Sequence, residues 1–184
     1  MSLEHCLILH CAPTLASLKP ASLFTIETAS ADELNRELRK WNQILHPKGL
    51  FLCVLRRSGR NALVYVCRTS HLQKSLQSPE LSEFLSRYGY ENTAIGPVLV
   101  QLKKRLSEGE GFPHEIGIFL GYPLEDVEGF IRNGGRNCKC VGCWKVYGDA
   151  QEAQKKFARY KKCCCVYQRL WGEGRSVAQL TVAA

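Results

Sequence analysis

Two neighbouring stretches, residues 50–55 (Leu-Phe-Leu-Cys-Val-Leu) and 62–67 (Ala-Leu-Val-Tyr-Val-Cys), constrain this chain more than any other feature. Both are apolar, and the second is rich in residues that favour strands. Between them lies Ser58-Gly59-Arg60-Asn61, a turn signal, so the pair reads as a β-hairpin. A strand with one wet face alternates apolar and polar residues. These runs barely alternate, which predicts strands covered on both faces. The rest of the chain has to supply that cover.

Most of the cover reads as helix. Ser30 and Glu33 have capping-box spacing, and Leu34, Leu38, Trp41 and Leu45 then form one apolar stripe ended by Pro47 and Gly49. Ser78-Pro79-Glu80 opens another helix, with Leu81, Phe84, Leu85 and Tyr88 inward. Residues 97–106 make a third, with Leu99, Leu102 and Leu106 inward, followed by a loop over 109–113. Residues 114–123 read as a strand or a helix. The helix reading is preferred, with Gly121 as its stop and Pro123 starting a second helix over 124–133. Leu7-Ile8-Leu9 reads as a strand or a buried helical turn, Pro13 as the first position of a short helix, and residues 23–26 and 138–147 as strands. Asp149 and Glu152 cap a last long helix. Its apolar stripe is Ala153, Phe157, Tyr160, Cys164, Tyr167 and Trp171, with Lys155, Lys156, Arg159, Lys162 and Arg169 off the stripe and Gly172 and Gly174 at its end. The expected fold is α+β: one domain over residues 1–184, a small, mostly antiparallel sheet with a hairpin, several packed helices and a long basic C-terminal helix.

No stretch reaches the roughly 18 apolar residues of a membrane span. Met1-Ser2-Leu3-Glu4-His5 lacks the basic start of a secretory signal, so a cytoplasmic location is expected and no membrane partner. Ten cysteines in such a chain read as reduced thiols, whose plain role is that of small buried hydrophobes. The net charge of +8 is uneven. Residues 1–131 hold 14 Lys/Arg and 14 Asp/Glu, whereas residues 132–184 hold 11 Lys/Arg against Asp149, Glu152 and Glu173.

Three segments together carry a resemblance: His10-Cys11-Ala12-Pro13-Thr14-Leu15-Ala16-Ser17-Leu18-Lys19; Phe112-Pro113-His114-Glu115-Ile116-Gly117 through Gly121-Tyr122-Pro123 to Val127-Glu128-Gly129-Phe130-Ile131; and Gly142-Cys143-Trp144-Lys145-Val146-Tyr147. In that order the chain resembles an uncharacterised family of mostly clostridial anaerobes, domain of unknown function 3793. The resemblance implies a bacterial cytosolic protein of this length. It also implies, through neighbouring genes, a link to iron or redox physiology and a redox or iron-handling partner. It supplies no activity. Cys143 stands where a tyrosine is usual.

Four constellations could carry chemistry. Cys138, Cys140 and Cys143, with Cys164 as a fourth ligand, have the soft donors that suit Zn or Fe, although the spacing is not a paired C-x-x-C motif. Cys11 before the Pro13 helix, with His114 as base and Glu115 or Asp126 orienting it, gives a thiol-dependent hydrolase or transferase. The plainer account packs Cys11 in the core. Residues 114–133 have helix-turn-helix spacing, but Glu125, Asp126 and Glu128 would repel phosphates, which leaves a packing motif. The basic C-terminal region, with Trp144, Tyr147, Tyr160, Tyr167 and Trp171, suits a polyanion or nucleic acid. The aromatics fall on the inward stripe, so core is the better reading and nucleic acid is not expected. No phosphate-cradling loop, H-E-x-x-H or nucleophile-elbow serine occurs. The sequence therefore favours a non-enzymatic binding or accessory protein, with the thiol enzyme and the polyanion binder as alternatives.

Overall fold

The computed structural model describes residues 2–91, 94–108 and 111–183. The hairpin is present as β2 (Leu50–Ser58) and β3 (Asn61–Arg68), with Gly59 in the left-handed region at φ 55°. β1 (Ala21–Glu27) pairs with the other edge of β3, so the antiparallel order is β1-β3-β2. Both faces are covered, as the unbroken apolar runs require. Val64 and Val66 point with Phe24, Ile26, Leu50 and Leu52 into one core, whereas Tyr65 and Cys67 point with Cys53 and Leu55 into the other.

The first core is closed by α1 (Leu3–Leu15), α2 (Ala31–Leu45) and α8 (Ala150–Gly172). Ser30 caps α2 by accepting from the Glu33 N–H at 3.4 Å, and Leu34, Leu38, Trp41 and Leu45 are its buried residues. A 3-10 turn, His46–Lys48, and Gly49 at φ 82° then reverse the chain into β2. The second core takes residues from α3 (Thr69–Leu76), α4 (Pro79–Ser86), α5 (Ile95–Glu108), α6 (Ile116–Phe119) and α7 (Leu124–Asn133). A short α9 (Val177–Leu180) follows α8 and returns to α1. Gly109 and Glu110, in the loop expected over 109–113, lie outside the described residues.

Two expectations change and two open readings are resolved. Residues 7–9 are the helical turn, not the strand, and Pro13 does not open a helix. Both lie within α1, which starts at Ser2, whose hydroxyl accepts from the His5 N–H. Leu3, Cys6, Leu7, Ile8, Cys11, Ala12 and Leu15 are buried, and the narrow exposed side, His5, Leu9 and His10, carries a leucine, so the sequence shows no polar stripe to reveal the period. Pro13 falls in its last turn, where the lost N–H costs only one bond to Leu9. Residues 138–147 are not one strand but a ribbon of two, β4 (Cys140–Val141) and β5 (Lys145–Val146). Their turn is tight because Gly142 lies directly against the Phe157 ring of α8, where a Cβ has no room. Over 114–123 the preferred helix is a single turn, α6, ended by Gly121 at φ 77°. No helix among the described residues is long and apolar enough to cross a membrane.

Candidate functional site

Glycine sets the approach of the elements that frame the main cleft. A Cβ on Gly117 of α6 would meet Val127 of α7 at 2.7 Å, so only glycine lets the two helices close on one another here. Gly129 of α7 lies against the Tyr147 ring in the same way. One carboxylate then ties α7 to the ribbon. Asp126, 3% exposed, accepts from the Trp144 indole N–H at 2.6 Å, the Tyr147 N–H at 2.7 Å and the Gly148 N–H at 2.8 Å. Trp144 is further held between Tyr122, stacked at 4.8 Å, and Phe157, edge-on at 4.6 Å.

Between α6–α7 and the ribbon this leaves a cleft of about 480 Å³. Leu23 of β1, Ile116, Leu120, Val127, Phe130 and Trp144 are among the apolar residues that wall it. Phe112 and Val141 stand exposed where they border it. His114 packs on the Phe130 ring at 4.8 Å, and the Lys145 ammonium lies 5.8 Å from the same ring while donating to the Gly135 carbonyl at 2.7 Å. Asp126, the carboxylate in the wall, has both oxygens engaged. The cleft therefore offers aromatic and aliphatic surface, an imidazole and one ammonium.

The thiols expected to carry chemistry sit elsewhere. Cys11 is fully buried in α1 within the first core, and burial pushes its thiol far above the ordinary range. It lies near the C-terminal end of that helix, so the helix dipole does not lower its pKa as expected from a Pro13 start. His114 borders the cleft, against Phe112 and Phe130. The two carboxylates expected to orient His114 are committed: Glu115 takes the Arg105 guanidinium and the Tyr90 hydroxyl, and Asp126 takes the ribbon. Cys138 and Cys140 are half-buried, Cys140 packing beside Trp144 and Val146. Cys143, in the ribbon turn, and Cys164, on α8, come within electrostatic reach of one another and of Lys19, whose ammonium lies 5.6 Å from the Tyr122 ring. Burial raises both thiols, partly opposed by Lys19. Among the described residues no group of three or more His, Cys, Asp or Glu is placed to hold a metal ion.

Of the cleft residues, the sequence singled out His114, Gly117, Val127, Phe130 and Trp144, but as packing or catalytic groups. Leu23 and Val141 carried no signal, because a lining residue and a core residue look alike until the space between them is known.

Fold and cleft together define a class: a small α+β protein, an edge-to-edge three-stranded sheet buried between helices, with an apolar ligand-sized cleft beside it. The chain belongs to the family described as protein of unknown function DUF3793, which it matches over residues 7–181. No curated protein and no solved structure matches it.

Proposed function

We propose that the protein is a non-enzymatic binding protein that takes a small, flat, largely apolar molecule in the cleft between α6–α7 and the β4–β5 ribbon. One observation carries this reading. About 480 Å³ of space is walled by aromatic and aliphatic side chains that are fixed from behind by a saturated carboxylate. Small-molecule sites have this character: roughly 300–1,000 Å³, mostly apolar, with few polar groups. The wall is pre-organised, so binding costs little side-chain ordering.

Titration with the neutral fluorophore N-phenyl-1-naphthylamine tests the reading. Saturable 1:1 binding is expected, and Leu23→Trp, which fills the cleft from a half-buried strand position, is expected to weaken it at least about tenfold while the unfolding midpoint stays near wild type. Absence of saturable binding, or equal affinity in the folded variant, overturns the proposal.

A further inference from the structure

A second opening lies along the free edge of β2. Because the sheet order is β1-β3-β2, that edge has no strand partner among the described residues. Asn42 of α2 covers part of it, donating to the Leu52 carbonyl and accepting from the Leu52 N–H, both at 2.8 Å. Further along, the pairing register of β2 shifts between Val54 and Arg56, a bulge that re-aims the side chains beyond it. There a groove of about 430 Å³ opens between α2, β2 and α5. Its polar wall is Asn35, Arg39, Arg56, Arg57, Lys103 and Ser107.

Four cations from three separate elements thus converge on one groove, and among the described residues no carboxylate lines it. None of the four takes part in an ion pair among the described residues. Arg57 is instead oriented by a neutral group, donating to the Asn35 side-chain oxygen at 2.8 Å. Lys103, exposed at the groove, is close enough to Cys53, which also lines it, for its charge to oppose the rise that burial gives that thiol. Like charges gathered without a counter-charge repel one another, and a bound anion would relieve that repulsion. Guanidinium forks match the paired oxygens of phosphoryl and carboxylate groups. We infer that this groove is a binding site for a small, multiply charged oxyanion, bearing phosphoryl or carboxylate groups. It is separate from the apolar cleft and does not depend on the function proposed there.

Thermal unfolding and calorimetry on the full chain decide it, with pyrophosphate, citrate and a short poly-glutamate peptide as probes. Pyrophosphate or citrate is expected to bind 1:1 and to raise the unfolding midpoint beyond an equal ionic strength of sodium chloride. Whichever of the two binds more tightly tells phosphoryl from carboxylate chemistry. The double variant Arg39→Gln/Arg57→Gln, changing two exposed side chains, is expected to lose at least about tenfold in affinity. The inference is overturned if sodium chloride reproduces the shift, if the double variant binds as the wild type does, or if the peptide alone binds.

Discussion

At the scale of single residues, burial decides the cysteine chemistry. Burial holds the Cys53 and Cys163 thiols up at about 11 and the Cys67 thiol at about 12, against an ordinary value of 9.0. A thiol whose folded pKa is raised keeps its proton in the native state and loses it more readily when unfolded. Its contribution to stability is therefore whole below pH 9 and lost as pH rises towards 11–12, each unit of difference being worth about 1.4 kcal/mol. Urea unfolding at pH 7.5, 9 and 10.5 is expected to show a flat first interval and a clear fall in the second. Cys53→Ala with Cys67→Ala should shallow that fall, and an unchanged slope would show that other groups set it. At pH 8, iodoacetamide should label exposed Cys143 and Cys165 while leaving Cys11, Cys53 and Cys67 intact. Counting thiols could not separate these classes. Cys11 and Cys143 look equally available in sequence, yet one is fully buried on the inner side of α1 and the other lies in an exposed turn.

At the scale of elements, the ribbon is the part that local sequence described least well and the cleft needs most. Two residues per strand cannot hold a hairpin by backbone bonds alone. The ribbon is instead held by Asp126 from α7 and by Trp144 and Gly142 against Phe157 of α8. Those are contacts between chain segments far apart in sequence, so residues 138–147 read as one extended strand. α2, by contrast, was fully legible, because its cap, stripe and stop are local and one side of it stays wet. Gly142→Val places a branched side chain where the Phe157 ring lies. An overpacking cost of about 1–3 kcal/mol is expected by urea unfolding, together with loss of naphthylamine binding, since Trp144 and Val141 on either side wall the cleft. Gly174→Ala, in open space after α8 at φ 94°, should cost about 1 kcal/mol from backbone strain alone and leave binding intact. Equal binding losses in both variants would mean that the ribbon does not shape the cleft.

At the scale of the whole molecule, summed charge misdirects. Residues 1–131 balance to zero, yet the convergent cations Arg39, Arg56, Arg57 and Lys103 all belong to them. The surplus in 132–184 includes the exposed α8 residues Lys155, Lys156, Arg159, Lys161 and Lys162, opposite the buried Ala153, Cys163 and Tyr167. A sum along the chain cannot see convergence across it. The same holds for the charge that joins the fold's distant parts. Arg68, at the end of β3, is 1% exposed and has a cage of carbonyls rather than a carboxylate. It donates to Thr14 at 2.7 Å and Leu15 at 2.6 Å, at the negative end of α1, to Val182 in the C-terminal tail at 2.8 Å, and to Lys48 in the 3-10 turn at 3.4 Å. Three regions that the chain keeps far apart are thereby fixed to the central strand. Arg68→Met keeps the length of the side chain but removes all four bonds; Thr14 and Leu15 keep only their backbone donors, the Ser17 and Val182 N–H groups, and the expected cost is about 3 kcal/mol. Lys48→Met removes one bond, to the Thr181 carbonyl at 3.0 Å, from a half-buried position, and should cost about 1 kcal/mol. Hydrogen exchange separates a hub from ordinary packing. The Val182 amide, which donates to Leu15 at 3.0 Å, should lose protection in Arg68→Met well before the strand amides do. If tail and strand amides instead open together, Arg68 stabilises the sheet as a whole and does not specifically hold the tail to it.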